Sequence, residues 1–234
     1  MNDLDTFQQS LEMTSVFLYW PNLIGFTRII LALIAFTKPY THPIRLFCCY
    51  TVSFILDAFD GLLARRCNQC TALGAVLDMV TDRAGTTAVC ALLVHMIPNW
   101  TGLWIFLIFL DLLSHWMAMY ASVSLGEQSH KDVSGKPFLV RVYYQNKVFL
   151  GTVCTFYEGA LFFLLMTTLS YGWVQTFLRV WAYVFSPGAV FKALVSVYQL
   201  VDAMQKLAAL ETAAKTEIHA SQKVASRKLK TKET

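Results

Sequence analysis

The chain has 234 residues, 56% of them hydrophobic, with a mean hydropathy of +0.49 and a formal net charge of +4. That composition excludes an ordinary soluble domain or a disordered chain and marks an integral membrane protein. The length admits one compact all-α domain of about six spans of roughly 20 residues each.

Residues 1–16 carry Asp3, Asp5 and Glu12 and no Lys or Arg, the wrong flank for a secretory signal peptide, so the first apolar span is expected to serve as the insertion signal. Six hydrophobic segments follow. The first covers roughly 19–37 and stops at Lys38-Pro39, and the second, roughly 44–64, runs into a run of acids. The third (75–97) begins after Gly74 and stops at Pro98-Asn99, and the fourth (100–122) precedes a polar connection from Gly126 to Lys147. The fifth spans 148–170, and the sixth 173–201 with an expected break at Ser186-Pro187-Gly188. Beyond 202 an Ala-rich polar stretch predicts a cytosolic helix that frays into a basic tail. The expected organisation is therefore a cytosolic segment over 1–18, a six-helix membrane domain over 19–201, and a cytosolic helix and tail over 202–234.

Six spans place both termini on one side. With that side cytosolic, Arg65, Arg66, Lys131, Lys136, Arg141, Lys147 and the basic tail all lie there, while the far side keeps Lys38, Arg45 and Arg179. The positive-inside bias supports this orientation. The tail suits anionic headgroups or simple solubilisation, and no nucleic-acid partner is expected. Its end, Lys230-Thr-Lys232-Glu-Thr, resembles a dilysine retrieval signal of the endoplasmic reticulum. The cysteines fall mostly in apolar runs as small hydrophobes. Cys67-x2-Cys70 has zinc-like spacing without a second pair, so no structural zinc is expected.

The chemistry is expected between Asp57 and Asp82, where four carboxylates sit within apolar sequence: Asp57-x2-Asp60-Gly61-x2-Ala64-Arg65-x8-Gly74-x3-Asp78-x3-Asp82. Ionised groups at membrane depth are costly unless paired, hydrated or ion-bound, and four acids together call for something positive among them. On helices, Asp57 and Asp60 share a face with Ala64 and Arg65, while Gly74, Asp78 and Asp82 form a stripe on the next helix. A short loop makes the two helices antiparallel neighbours, so the stripes can face each other. Hard carboxylate oxygens suit Mg²⁺ or Mn²⁺, and two such ions about 3.5–4 Å apart suit a phosphoryl-type displacement. Gly61, Ala64 and Gly74 leave backbone bare beside the acids for a ligand, for tight helix packing, or for both.

This pattern resembles the signature of the CDP-alcohol phosphatidyltransferases, with all eight fixed positions present. The resemblance implies a six-helix membrane enzyme, a homodimer, that binds a CDP-linked substrate through two divalent metals and displaces CMP with an alcohol hydroxyl. It implies that Asp57, Asp60, Asp78 and Asp82 hold Mg²⁺ or Mn²⁺, that Asp82 is also the general base, and that Gly61, Arg65 and Thr71 contact the CDP-lipid, beside Gly74. Pro21-Asn22 through Arg28, Leu77 through Arg83, Asp111 to Trp116 and Ser129-His130-Lys131 are similar to the eukaryotic branch that uses inositol. That similarity implies CDP-diacylglycerol and myo-inositol as substrates and a location in the endoplasmic reticulum, or the Golgi, with the site towards the cytosol.

Several residues keep two readings. Asn22 could contact the CDP-lipid or cap a helix, and Arg28 could reach the acceptor or snorkel to the headgroups. Asp111, with Ser114 and His115, could meet the acceptor or form an interhelical hydrogen-bond network. Lys131 lies in a polar loop that could cover the acceptor entrance. Glu158 could pack between helices, serve a dimer or bind substrate. Two other functions compete with inositol transfer: a sister transferase for another alcohol, and a divalent-cation transporter with an intramembrane acid path.

Overall fold

Each of the six apolar segments is helical in the computed structural model, which describes residues 15–126 and 138–230. Lys131, with Ser129, His130 and Lys136, most of the N-terminal segment and the last residues of the tail lie outside the described residues. The helices are α1 (Trp20–Phe36), α2 (Pro43–Arg66), α3 (Ala72–Met96), α4 (Thr101–Ser124, entered through a 3₁₀ turn at Pro98–Trp100), α5 (Phe138–Gln145), α6 (Lys147–Thr168) and α7 (Gly172–Lys230). No strand occurs among the described residues.

Local sequence explains the ends. Proline stands in the first turn of α1, α2 and the 3₁₀ turn, where a missing N–H costs no helical bond. Helix α2 stops because Asn68 takes a left-handed φ of +53° and Gln69 N donates to Ala64 O at 2.9 Å, the bond pattern of a Schellman cap. Three residues later Thr71 is the N-cap of α3, its Oγ accepting from Gly74 N at 3.0 Å. The α2–α3 connection is therefore short and closed at both ends. Gln69 Oε1 also accepts from Trp20 N at 3.1 Å, tying that turn to the start of α1.

Among the described residues, four helices are long and apolar enough to cross a membrane: Pro43–Arg66, the stretch Pro98–Ser124, Lys147–Thr168, and α7 over Gly172–Thr216. Helix α1 is apolar but has 17 residues, and α3 carries Asp78, Asp82 and Arg83 within its length. Large apolar side chains point outward, among them Ile44 at 79% and Trp173 at 79% exposure, as lipid-facing residues do. The protein is thus an all-helical, multi-pass membrane protein.

The sequence reading differs from the structure in three places. Helix α7 runs unbroken through Ser186-Pro187-Gly188, with Pro187 inside it, because one lost backbone bond is tolerable when the rest of the helix is self-satisfied. The stretch after 202 is part of the same helix and not a separate one, since its Ala, Lys, Glu and Gln are strong helix formers. The polar connection before Lys147 contains the helix α5, whose apolar face the short, charge-flanked segment hid.

The chain divides into two compact units. One runs through Ile108 and includes Phe156–Pro187; the other comprises Phe109–Thr155 and the chain from Gly188. The first unit holds α1 to α3, the start of α4 and most of α6, packed over Leu46, Val89, Leu93 and Leu165, all essentially inaccessible. Its helices approach closely at glycines: a Cβ on Gly25 would lie 2.7 Å from Leu77 Cδ2, and one on Gly159 would lie 2.5 Å from Phe185 Cδ2. The second unit centres on Tyr143, Val153 and Val195, with Phe149 and Phe191 packed against them.

Candidate active site

The two acidic stripes converge. Asp57 and Asp60 come from the last turns of α2, Asp78 and Asp82 from the early turns of α3, and the closed turn between the helices sets their register. Oxygens of Asp57, Asp60 and Asp78 lie within 4.8 Å of one another. The fourth acid, Asp82, joins them through a shared cation.

That cation is Arg28. Its guanidinium, 3% exposed, reaches from α1 and meets all four carboxylates: Nη2 is 2.7 Å from Asp57 Oδ1 and also donates to Asp82 Oδ1, while Nη1 lies 2.8 Å from Asp60 Oδ2 and 2.7 Å from Asp78 Oδ1. A planar fork of donors is suited to bridging several carboxylates at once. Ser53 Oγ donates to Arg28 O at 3.2 Å and fixes the backbone beneath it. Arg28 is therefore neither a headgroup-snorkelling side chain nor exposed. It is the positive group that four neighbouring acids require.

One guanidinium among four ionised carboxylates leaves a formal charge of −3. Asp60 is nearly enclosed, but Asp57, Asp78 and Asp82 keep 35%, 47% and 32% of their side-chain surface open. Hard oxygen donors, unbalanced charge and open lone pairs fit divalent cations of the Mg²⁺ or Mn²⁺ kind.

Behind the acids lies a second ionic group. Arg83 Nη2 is 3.7 Å from Asp82 Oδ2 and 3.8 Å from Glu158 Oε1. Thr86 Oγ1 donates to Glu158 Oε1 as well as approaching Asp82 O at 3.1 Å, and Tyr50 OH donates to Glu158 Oε2 at 3.3 Å. The Tyr50 ring is itself held between Phe36 and Phe162, at centroid distances of 5.6 and 4.6 Å. Glu158 is thus no isolated acid.

In front of the acids is a cavity of about 150 Å³ lined by Asp60, Gly61, Ala64, Thr71, Gly74 and Asp78, among others. Asn22 stands beside it, 1% exposed, its Nδ2 donating to Val16 O at 2.7 Å while the buried Oδ1 accepts no hydrogen bond. It is not a helix cap, since the N-cap of α1 is Tyr19. A Cβ on Gly74 would come within 2.8 Å of that Oδ1, so glycine is what permits the approach. Over Gly61 lies the Arg65 guanidinium, with Nη1 3.3 Å from where a Cβ would sit.

Asp111, Ser114 and His115 share a turn of α4 in the second unit. His115 Nδ1 is 2.8 Å from Asp111 O and 3.5 Å from its carboxylate, and Ser114 Oγ donates to Asp111 O at 3.2 Å. The placement of Arg28 among the acids, and the link from Asp82 to Glu158, were not foreseen. The available signal was an arginine within the first apolar span, and an Arg83–Glu158 pair of opposite charges at membrane depth.

Comparison with known proteins gives consistent results. The family model described as CDP-alcohol phosphatidyltransferase matches residues 18–188. A CDP-diacylglycerol–inositol 3-phosphatidyltransferase of Candida albicans is 39% identical over 207 residues, 88% of this chain and 89% of that protein. The proteins of the same name from Saccharomyces cerevisiae and Homo sapiens are each 39% identical, covering 78% and 85% of this chain and 82% and 95% of their own lengths. No solved structure matches significantly.

Proposed function

This chain belongs to the CDP-alcohol phosphatidyltransferase family, and from that premise we infer that it is an enzyme transferring the phosphatidyl group of CDP-diacylglycerol to myo-inositol, giving phosphatidylinositol and CMP. The observation that carries the acceptor is the 39% identity, over most of the chain, to fungal and animal enzymes named for that reaction. A cation-transporter reading finds no support among these relatives.

The residues lend themselves to this chemistry. Asp57, Asp60, Asp78 and Asp82 would hold two divalent ions, Mg²⁺ or Mn²⁺, whose charge would stabilise the phosphate oxygens of the CDP-lipid and the departing CMP. The excess of carboxylates over Arg28 supports a demand for added positive charge. Asp82, with one oxygen turned to Arg28 and the other towards Arg83, accepts the proton of the attacking inositol hydroxyl. That hydroxyl oxygen bonds to the phosphorus of the phosphatidyl group, the bond to CMP breaks, and the electron pair leaves with CMP.

The cavity beside the acids receives the nucleotide end. Gly61 and Gly74 bring bare backbone to it, Thr71 shapes its rim, and the Asn22 carbonyl offers an acceptor to a ligand N–H. Arg65, whose guanidinium lies over Gly61, would pair with a substrate phosphate. Arg28 serves the site by holding the four acids together and not by meeting the acceptor, while Asp111, His115 and Lys131 are the candidates for inositol contact. Six spans, a cytosolic C-terminal tail, a site facing the cytosol, residence in the endoplasmic reticulum and a homodimer complete the proposal; the basic residues Arg65, Arg66 and those of the tail support the orientation.

The test is incorporation of labelled inositol into lipid by the purified chain, given CDP-diacylglycerol and Mg²⁺ or Mn²⁺. Product dependent on both supports the reading. Transfer to serine or glycerol phosphate, with none to inositol, moves the chain to a sister specificity.

A further inference from the structure

A carboxylate within an apolar helix needs a reason, and Glu158 has three partners that lead to the reacting end of the site. It lies on α6, 76 positions from Asp82 in sequence, outside the eight fixed positions of the Asp57–Asp82 signature. Its two oxygens are spoken for: Oε2 by Tyr50, and Oε1 by Thr86 and by Arg83 within ion-pair reach. Arg83 follows Asp82 directly and stands at nearly equal distance from Asp82 Oδ2 and Glu158 Oε1, 3.7 and 3.8 Å. Both separations suit an ion pair but are too long for a hydrogen bond. Thr86 repeats the link, touching the backbone carbonyl of Asp82 with the same hydroxyl that it gives to Glu158.

We propose that Glu158 is a positioning residue for the transfer reaction: it draws the Arg83 guanidinium back from Asp82, so that Asp82 Oδ2 stays open to the acceptor hydroxyl. This rests on the reading of Asp82 as the general base. Tyr50 is the brace that makes the arrangement directional. Its ring packs against Phe36 and Phe162, and Gly85 lies beside its hydroxyl. Without the Glu158 charge, Arg83 is held less firmly away from Asp82, and a carboxylate capped by a guanidinium accepts a proton poorly. Partners one layer behind reacting groups typically change activity about 10- to 100-fold when removed.

The experiment measures kcat and the KM of each substrate for the full chain as wild type, Glu158→Gln, Arg83→Met and the double variant. Wild-type product formation comes first; its absence refutes the reaction reading and not the positioning role in particular. With activity established, Glu158→Gln is expected to lose about 10- to 100-fold in kcat with both KM values nearly unchanged. The double variant should then be no slower than Arg83→Met, because the harm passes through Arg83. An unchanged kcat in Glu158→Gln, or losses that multiply in the double variant, overturns the proposal. Should Glu158→Gln fail to fold, Glu158→Asp and its combination with Arg83→Met decide: a lowered kcat in Glu158→Asp that the combination does not deepen beyond Arg83→Met supports it, and an unchanged kcat or losses that multiply overturn it.

Discussion

Replacing Arg28 by Met tests the electrostatic account of the acid cluster most directly. The substitution keeps length and bulk and removes the charge that touches Asp57, Asp60, Asp78 and Asp82. Removing one partner of a buried ion pair costs about 3–5 kcal/mol. Only Asp60 is enclosed here, however, and the other three acids keep between 32% and 47% of their surface open, so water recovers much of that loss. A net cost of about 2 kcal/mol follows. For a chain of this size that is a fall of about 4–8 °C in melting temperature. The assay is thermal unfolding of detergent-purified wild type and Arg28→Met, first with chelator and then across a titration of MgCl₂ or MnCl₂. Divalent ions and the guanidinium compete for the same oxygens, so added metal should stabilise the variant more than the wild type and close most of the gap. A variant that melts with the wild type in chelator, or gains no more from metal than the wild type does, refutes the reasoning.

Other outcomes follow from single contacts. Asp82→Asn should lower kcat by at least about 100-fold while CMP and CDP-diacylglycerol binding, measured by calorimetry, survive; lost nucleotide binding would assign Asp82 to metal holding alone. Gly74→Ala places a methyl 2.8 Å from Asn22 Oδ1 and 3.2 Å from Thr71 Oγ, so it should cost about 1–3 kcal/mol in unfolding and raise the KM for CDP-diacylglycerol more than that for inositol. Thr71→Ala removes the N-cap of α3 and should cost about 1 kcal/mol in thermal unfolding, with Thr71→Ser restoring it.

The local parts of this site were legible in the sequence because they depend on neighbours in the chain. Carboxylates three or four apart share a helix face whatever else the fold does, and a short loop makes the two helices that carry them antiparallel neighbours. What pairs across helices was not legible. Arg28 is 29 to 54 positions from its partners, and nothing in residues 20–36 distinguishes an arginine bound for the acids from one bound for the headgroups. Arg65 and Arg66 were the nearer positive charges by sequence, yet a guanidinium from α1 fills the role. Glu158 was hidden for the same reason. Pro187 misled in the other direction: a residue that breaks helices in water was read as a break where the helix simply continues.

The uninterrupted course of α7 has a consequence for how this protein meets its bilayer. Fifty-nine residues at 1.5 Å each give about 88 Å of helical path, close to three times the hydrocarbon thickness. The passage from oil to water therefore falls inside a helix and not at a loop. Backbone bonding stays the same on both sides of that frontier, and only the side chains register it, from Trp181 and Val184 to Lys206, Glu211 and Lys215. Residue number along α7 becomes a depth gauge: spin labels or quenchable fluorophores placed one turn apart would report membrane position in steps of about 5.4 Å.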